Sequence, residues 1–273
     1  MLSEHIPNVL SIAGSDPSGG AGIQADLKTF AALDVYGMAV ITALTAQNTQ
    51  GVSGAVDVPA AFVTDQLNAV FEDIRVDALK IGMLGNADIV HAVADVIERY
   101  QPNNIVLDPV MVSTSGDALI SSDAMVALKT RLFPLVDVVT PNIPEAEKLA
   151  RKVVIDMDRA AQDLLNLNVE AVFLKGGHLK GSVAQDVLAY DGGTKTYEAP
   201  RVDTQNTHGT GCTLSSAIAA YLALGCDLKE ACGKAKTYLT GALGCAAMLD
   251  VGGLNGAQGH GPVSHMYRRG HYE

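Results

Sequence analysis

One short stretch in the last third of the sequence has residue types suited to holding a phosphate group. In NTHGTGC (206–212), Gly209 and Gly211 flank Thr210, and the residues that follow predict a helix. Small residues let backbone N–H groups turn toward an anion, and the dipole of a helix that starts there favours negative charge. Cys212 lies at this predicted helix start, where a thiol tends toward a lowered pKa. A buried structural cysteine at a tight turn fits the same pattern, so the stretch alone leaves both interpretations open.

Two further stretches supply groups that bind Mg²⁺ and phosphate. In TPNIPEAEKL (140–149), Asn142 and Glu145 follow a predicted strand at a spacing of one helical turn. Their oxygens suit Mg²⁺, which takes a few protein oxygens together with water and phosphate. An N-cap Asn followed by a first-turn Glu has the same spacing. In FLKGGH (173–178), Lys175 ends a predicted strand before two glycines and is placed to meet a phosphate, although a solvent-facing lysine in a turn also fits.

The glycine-rich opening stretch SIAGSDPSGGAGIQADLKTF (11–30) contains a match to the dinucleotide-binding fingerprint. Residues 20–25 fit G-x-G-x-x-A. A dinucleotide fold places these glycines directly at a strand end and an acidic residue about 20 positions later, at the end of the next strand. Here residues 15–18 separate the glycines from the strand, and the next strand ends at 45–48 without an acid. We therefore expect no NAD, although calorimetric binding of a nicotinamide cofactor would restore an oxidoreductase as an alternative.

Composition and charge argue against several classes of protein. The chain has 273 residues, of which 48% are hydrophobic and 18% charged, as is usual for a globular enzyme. A net charge of −11 argues against a nucleic-acid partner, which would need a basic face. No apolar run approaches the length of a membrane span, and the first residues lack the basic region of a signal peptide. Four cysteines without C-x-x-C spacing predict a reducing, cytoplasmic location and no zinc site.

Apolar segments with strand character alternate with segments of helical periodicity along the chain. Strands are predicted over residues 8–13, 38–45, 77–82, 104–108, 135–140 and 170–175, and a hairpin within 185–200 that turns at Asp191-Gly192-Gly193. Helices are predicted over residues 22–33, 59–74, 87–99, 121–132, a short segment from Pro144, about 158–167, 213–224 and 228–249. This alternation predicts a single α/β domain over residues 1–273, with a mostly parallel central sheet and helices on both faces. Ligands of such sheets bind beyond the carboxyl ends of the strands.

A series of motifs along nearly the whole chain identifies a family resemblance. In order they are AGSDPSGGAGIQADLKTF, ITALTAQNTQGV, KIGML, VLDPVM, TPNIPEAE, KGGH, NTHGTGCTLSSAIAA and the closing GHGPVSHMY. The series resembles the hydroxymethylpyrimidine/phosphomethylpyrimidine kinases of thiamin biosynthesis, within the ribokinase-like superfamily. NTHGTGC is similar to the D-T-x-G-A-G-D signature of that superfamily, with Asn206 and Cys212 at the two usual Asp positions. PNIPE is similar to its N-x-x-E magnesium motif.

The resemblance implies a ribokinase-like fold, ATP and Mg²⁺ as cofactors, a small-molecule substrate and a homodimer. The implied activity has two steps: phosphorylation of 4-amino-5-hydroxymethyl-2-methylpyrimidine, then of the resulting monophosphate. The residues implied to enclose the pyrimidine are Gly14, Ala21, Gln47 and Met83. The residues implied to form the anion hole for the transferring phosphoryl group are Gly209, Thr210, Gly211 and the N–H of Cys212.

The resemblance also implies the remaining roles. The Cys212 thiolate accepts the hydroxymethyl proton in the first step, provided that its pKa is lowered, and Lys175 neutralises the ATP phosphates. Asp26 lies near the reacting hydroxymethyl group, although a helix N-terminal acid also fits its position. The residues implied to hold Mg²⁺ are Asn142, Glu145 and Asp108.

Two alternatives remain at this point. A Cys-containing pyridoxine/pyridoxal kinase has the same fold and a similar substrate, since both are small aza-aromatics with a hydroxymethyl group. Gln47 and the GHGPVSH ending favour the pyrimidine. A non-catalytic pyrimidine sensor would keep the Gln47 pocket but lose Lys175, Glu145 or the GTGC residues, all of which are present here.

Overall fold

The structure, a computed structural model, describes residues 5–111, 120–177, 179, 181–254 and 259–269. The strands of this part of the chain are β1 (Asn8–Ser15), β2 (Tyr36–Asn48), β3 (Gly51–Asp57), β4 (Ala78–Ile81), β5 (Ile105–Leu107), β6 (Val138–Val139), β7 (Ala171–Lys175), β8 (Val183–Tyr190) and β9 (Gly193–Pro200). The α-helices are α1 (Gly22–Ala32), α2 (Ala60–Phe71), α3 (Ala87–Tyr100), α4 (Ser122–Ala127), α5 (Ile143–Ala150), α6 (Met157–Leu165), α7 (Thr210–Ala223) and α8 (Leu228–Gly244). Within the described ranges, no helix is both long and apolar enough to cross a bilayer.

These strands form one sheet, in the order β3-β2-β1-β4-β5-β6-β7-β8-β9. The six neighbouring strands β2, β1, β4, β5, β6 and β7 pair in parallel, each with the next in this order. β3 is antiparallel to β2 at one edge, and the β8–β9 hairpin adds antiparallel strands at the other. The predicted α/β architecture with a mostly parallel sheet is therefore confirmed. The carboxyl ends of its parallel strands meet along one edge, where ligands bind in such folds.

Alternate residues of the central strands face two separate cores, because side chains point to opposite sides of a strand in turn. In β1, Val9 packs with α1, α7 and α8 on one face, whereas Leu10 and Ile12 pack with α2, α3, α5 and α6 on the other. Phe173 and Leu174 divide in the same way in β7. Helices thus cover both faces, and this burial of apolar strands explains why their sequences read as continuous hydrophobic runs.

Most predicted elements are present, and the differences have local causes. The hairpin turn at Asp191–Gly193 is confirmed. The predicted helix 121–132 keeps α-helical geometry only to Ala127 and continues as a π-helical turn over Leu128–Leu132. The strand predicted over 135–140 is reduced to Val138–Val139 after a 3₁₀ turn that contains Pro134. β3 was not predicted at all: its residues are exposed on both faces and show no apolar alternation.

Phe173 offers a direct test of the core beneath α7 and α8. The ring is fully buried and packs 5.7 Å, centroid to centroid, from the ring of Tyr197. Because the cavity left by truncation adds to the lost transfer free energy, we expect Phe173→Ala to lower the free energy of unfolding by about 3–5 kcal/mol. Urea denaturation measures this change. Phe62→Ala is the control, since it removes the same atoms from a residue on α2 that is 57% exposed. It should change the free energy of unfolding by no more than about 0.5 kcal/mol. Equal losses in both variants would contradict the placement of Phe173 in the core.

Candidate active site

The structure brings the predicted site residues together at the carboxyl edge of the sheet. A cavity of about 630 Å³ opens there, and the loops that follow β1, β4, β5, β6 and β7 contribute to its walls. The predicted site residues that line this cavity are Gly14, Ala21, Gln47, Met83, Asp108, Asn142, Glu145, Lys175, Gly209, Thr210, Gly211 and Cys212. Asp26 is the predicted residue that does not line it. Motifs that are far apart in sequence therefore form one site.

The 206–212 stretch supplies a helix N-terminus to this cavity. Gly209 has a φ of 76° and acts as the N-cap of α7, which begins at Thr210 rather than at the predicted residue 213. A side chain at Gly209 would be strained in this conformation and would collide with the backbone carbonyl of Gly20. Thr210, Gly211 and Cys212 thus form the first helical turn, where backbone N–H groups have no partner within the helix. The Thr210 N–H donates to the Thr207 carbonyl over a long 3.3 Å; an anion here would compete for it and be held by the Gly211 and Cys212 N–H groups and the helix dipole.

Lys175 lies beside this helix start and is paired with carboxylates. Its Nζ donates to Asp108 Oδ1 over 2.7 Å and lies 4.0 Å from Glu145 Oε2. The ammonium also lies 3.2 Å from the position that a Cβ on Gly211 would take. Burial would lower the pKa of Lys175, but the neighbouring carboxylates outweigh burial and raise it. The Lys175 side chain is therefore a cation beside the candidate anion site. His178, the last residue of the FLKGGH stretch, lies outside the described residues.

Asn142 and Glu145 form a reciprocal cap at the start of α5. The Asn142 side chain accepts from the Glu145 N–H over 2.9 Å, and Glu145 Oε2 accepts from the Asn142 N–H over 2.7 Å. The helix-cap interpretation of this pair is thus confirmed, while both residues also line the cavity. Burial, reinforced by the Asp108 charge and only partly offset by Lys175, raises the pKa of Glu145 to about 7. Negative charge is crowded at this point of the wall.

Cys212 has the opposite pKa shift from the one predicted. Burial is the largest cause and raises the pKa of the thiol to about 11. Lys80 and an N–H donated by Gly22 lower it, but the Asp26 and Asp108 charges act with burial. The prediction of a lowered pKa is therefore wrong, because the helix N-terminus does not compensate for removal of the thiolate from water. In the free protein Cys212 is a thiol at neutral pH.

Asp26 lies beneath the cavity and is fully buried. Lys80 Nζ donates to both of its carboxylate oxygens, over 2.9 and 2.8 Å. Ser11 and Ser216 donate to the same carboxylate over 2.5 and 2.6 Å. All of this acceptor capacity is used inside the protein, so Asp26 reaches the cavity only through its partner Lys80, which lines the wall; the predicted proximity of Asp26 to a reacting hydroxymethyl group stays a prediction. The KIGML motif contains Lys80, but its buried role could not be inferred without knowledge of this partner.

The predicted pyrimidine-binding residues lie at the ends of four elements. Gln47 is near the carboxyl end of β2, and its Oε1 accepts from Thr45 Oγ1 over 3.1 Å. Met83 follows β4, and its terminal methyl lies against Gly14 at the end of β1. Ala21 precedes α1. An amide that can donate and accept, next to a polarisable thioether, suits the edge and the face of a small heteroaromatic ring.

Two buried contacts between a basic side chain and a carboxylate in the cavity wall were missed by sequence reasoning. His208 Nε2 lies 2.7 Å from Asp16 Oδ2. Lys236 Nζ donates to Asp186 Oδ2 over 2.7 Å, and the other oxygen of Asp186 accepts from the Gly176 N–H over 2.8 Å. His208 lies within the NTHGTGC stretch, which was a usable signal. Lys236 lies in the middle of α8, where neither spacing nor composition distinguishes it from a surface lysine.

Comparison with known proteins agrees with these motifs. Residues 16–264 match the family described as phosphomethylpyrimidine kinase. The hydroxymethylpyrimidine/phosphomethylpyrimidine kinase of Rhizobium meliloti (strain 1021) is 51% identical over 264 residues, which cover 95% of this chain and 97% of that protein. Some relatives are longer: the chain spans 52% of the thiamine biosynthesis bifunctional protein ThiED of Geobacter sulfurreducens, with 50% identity over 262 residues that cover 95% of this chain.

Two solved structures have similar folds. The phosphomethylpyrimidine kinase from Clostridium difficile 630 is 44% identical with a TM-score of 0.77, covering 87% of this chain and 99% of that chain. An ADP complex of Bacillus subtilis pyridoxal kinase is 37% identical with a TM-score of 0.87, covering 97% and 99% respectively. Sequence identity is thus greater to the pyrimidine kinases, while the backbone also matches a pyridoxal kinase closely.

The raised pKa of Cys212 predicts how the thiol reacts with an alkylating reagent. Only the thiolate is nucleophilic, so the rate should rise about tenfold per pH unit between pH 7 and pH 10, without levelling off, because the pKa is about 11. Iodoacetamide labelling followed by peptide mass spectrometry measures this rate, with Cys212→Ser as the control for peptide assignment. A rate that levels off near pH 7 would show that the thiolate is already formed there.

Proposed function

The chain belongs to the phosphomethylpyrimidine kinase family, and from this membership we propose how its cavity acts as an ATP-dependent kinase. The substrates are 4-amino-5-hydroxymethyl-2-methylpyrimidine and then its monophosphate, as in thiamin biosynthesis. The observation that carries the proposal is the composition of one cavity wall: the α7 N-terminus and Lys175 lie in the same cavity as Gln47 and Met83. A phosphate donor and a heteroaromatic acceptor can therefore meet there.

The pyrimidine occupies the part of the cavity formed by Gly14, Ala21, Gln47 and Met83. The Gln47 amide pairs with the ring nitrogen and exocyclic amine, and Met83 covers the ring face. The nucleobase of ATP lies against the apolar part of the wall, which includes Val202, Leu239 and Leu243. This arrangement directs the ATP phosphates toward the α7 N-terminus.

Phosphoryl transfer depends mainly on positioning and on neutralisation of charge. The hydroxymethyl oxygen attacks the terminal phosphorus of ATP, a new O–P bond forms, and the bond to the ADP oxygen breaks. The N–H groups of Thr210, Gly211 and Cys212 donate to the oxygens of the phosphoryl group in transit. The Lys175 ammonium neutralises charge on the phosphates.

The residues around Lys175 also fit Mg²⁺. Asp108 and Glu145 offer carboxylate oxygens, which this ion prefers, and both lie beside the Lys175 ammonium in the cavity wall. Asn142 contributes through the cap that fixes Glu145. Among the described residues, no group of three or more His, Cys, Asp or Glu side chains could hold a metal alone, which favours an ion shared with phosphate oxygens and water. When bound, Mg²⁺ neutralises charge on those oxygens.

Cys212 acts as the base of the first step only. The hydroxymethyl group carries a proton that must leave, and the Cys212 sulfur is the acceptor that we propose for it. Because this thiol is protonated at rest, it first releases its proton to solvent, and the resulting thiolate then accepts the hydroxymethyl proton as the new O–P bond forms. The acceptor in the second step is a phosphate oxygen that is already largely ionised near neutral pH, so it needs no base.

The wider context of the enzyme is also a proposal. We assign residues 1–273 to a single ribokinase-like kinase domain that acts in the cytoplasm, in keeping with four unpaired cysteines. A homodimer is favoured by the β2–β3 edge of the sheet, where the register partners Leu44 and Val56 are 55% and 70% exposed. Exposed apolar residues on an edge strand favour pairing with another chain.

Substrate turnover tests the proposed function directly. We expect the purified chain to consume ATP with the hydroxymethylpyrimidine and to produce first a monophosphate and then a pyrophosphate, measured by mass spectrometry. Pyridoxal is the second candidate substrate because of the structural similarity to the Bacillus subtilis enzyme. Gln47 leads us to expect at least about tenfold lower kcat/KM with pyridoxal, the loss that one unsatisfied buried polar contact produces.

Two lysine variants serve as matched controls for that assay. Lys175→Met should reduce kcat/KM by about 10²-fold or more, since a charge that stabilises the transition state is lost. Lys152→Met removes a lysine whose side chain is 59% exposed and which does not line the cavity, and should leave turnover unchanged. Preferred turnover of pyridoxal would overturn the substrate assignment, and equal effects of the two variants would overturn the role of Lys175.

Cys212→Ala separates the two phosphorylation steps. We expect the first step to slow by about 10²-fold, the usual contribution of a general base, and the second step to change much less. The backbone N–H of residue 212 is retained in this variant, so the anion hole persists. Each step is assayed separately from its own substrate, and the wild-type rate of the first step alone should rise with pH. Equal losses in both steps would instead indicate that Cys212 positions the substrate.

A further inference from the structure

The glycine-rich loop at residues 14–22, here called the pyrimidine loop, is organised by the carboxylate of Asp16. Asp16 Oδ2 accepts from the N–H groups of Gly20 and Ala21 over 3.2 and 2.8 Å. The two carboxylate oxygens also accept from the N–H and the hydroxyl of Ser18, over 2.8 and 3.0 Å. One side chain thus fixes the path of a loop that is otherwise rich in flexible residues. Ala21 belongs to the proposed pyrimidine pocket, so this path sets the position of the substrate.

The same carboxylate is also held by His208, which comes from the distant 206–212 stretch. His208 Nε2 lies 2.7 Å from Asp16 Oδ2, and both side chains are buried. Burial alone would raise the pKa of Asp16, but the hydrogen bonds from His208, Ser18 and Ala21 outweigh it and lower the pKa to about 2. An ionised carboxylate only accepts hydrogen bonds, so His208 Nε2 carries the hydrogen and donates it. The contact joins residues 192 positions apart.

His208 belongs to the loop at residues 206–212, here called the anion loop, and its backbone is fixed independently. Its N–H donates to the carbonyl of Gly261 over 3.0 Å, within the closing GHGPVSHMY stretch. The ring packs so closely on Gly20 that a side chain at that position would overlap it. His260 in the same closing stretch donates its N–H to the Thr49 carbonyl over 2.8 Å, at the turn between β2 and β3. His208 is therefore held between the closing stretch and the pyrimidine loop.

We propose that His208 is a positioning residue, which sets the pyrimidine loop at a fixed distance from the anion loop through its contact with Asp16. The inference rests on the proposed function, in which one loop encloses the acceptor and the other holds the phosphoryl group. The reacting oxygen and phosphorus must approach closely along one line, and a displacement of about 1 Å between reacting groups can cost about 10²-fold in rate. Neither the backbone N–H groups nor Lys175 can correct an acceptor that has moved with its own loop.

Three substitutions test this role in the full-length protein. His208→Leu removes the donor at similar volume, and Asp16→Asn removes the carboxylate that receives it. His208→Gln keeps an N–H donor near the position of Nε2. We expect His208→Leu to raise the KM for the hydroxymethylpyrimidine and lower kcat, each by about tenfold, consistent with partial misplacement of the acceptor, while the KM for ATP stays within about twofold. His208→Gln should restore most of both losses.

A double-mutant cycle shows whether His208 acts through Asp16. If it does, the losses of His208→Leu and Asp16→Asn do not add in the double variant, whereas independent effects would add. Lys28→Met is the matched control: its ammonium donates to the Gly19 carbonyl over 2.7 Å, on the exposed side of the same loop, and its loss should leave both KM values unchanged. If His208→Leu does not fold, His208→Asn takes its place in the cycle, because its shorter polar side chain falls short of the Asp16 carboxylate.

Several results would overturn the proposal. An unchanged pyrimidine KM in both His208→Leu and Asp16→Asn would do so, as would additive losses or failure of His208→Gln to restore activity. A merely structural role would lower the melting temperature and kcat while both KM values stayed constant. Failure of the proposed function is distinguishable, because then the wild-type chain would not turn over the pyrimidine at all.

Discussion

The buried ion pair between Asp26 and Lys80 joins the elements on which both substrate loops depend. Asp26 lies in α1, directly after the pyrimidine loop, and Ser216 of α7 donates to the same carboxylate. Lys80 in β4 and Ser11 in β1 complete the group. Two neighbouring central strands and the two helices that start at the cavity are thus fixed to one another. A buried charge that loses its partner destabilises a protein by about 3–5 kcal/mol, so this group can hold both helix starts in register.

The cavity is suited to phosphate although the chain is strongly acidic. Three of the four lysines that line it among the described residues are paired with carboxylates: Lys80 with Asp26, Lys175 with Asp108, and Lys236 with Asp186. Because these pairs are close to neutral, attraction for an anion comes from local groups rather than from net charge. These groups are the N–H donors of the α7 N-terminus and the side chains of Lys148 and Arg201, which line the same cavity. A net charge of −11 is therefore compatible with a phosphate-binding enzyme.

Local sequence signals were sufficient for most of the fold and for the location of the site, but not for properties that depend on tertiary burial. Apolar runs that are buried on both faces, such as β1 and β7, were recognisable because packing and sequence pattern agree. β3 has no buried face and hence no pattern. The thiol at residue 212 was correctly placed at a helix start, yet its pKa is set by burial and by Asp26 and Asp108, which come from other parts of the chain. The pairing of Lys236 with Asp186 is likewise invisible in sequence, since it joins α8 to β8.

A kinase that phosphorylates its own product must bind two phosphoryl acceptors of different length, an alcohol and its phosphate ester, at one phosphoryl-transfer site. In this chain α7, which carries the proposed phosphoryl site, is fixed through Ser216 to a buried ion pair, and its N-cap Gly209 lies close against the backbone of the pyrimidine loop. Since the two loops are also fixed relative to each other, we expect the difference between the two acceptors to be taken up by side chains that contact the ring. Met83 is suited to this, since its unbranched thioether can repack around a displaced ring. The structural match to a pyridoxal kinase has the same explanation: a shared phosphoryl-transfer scaffold leaves substrate choice to the few side chains that contact the ring, and backbone similarity alone does not identify the substrate.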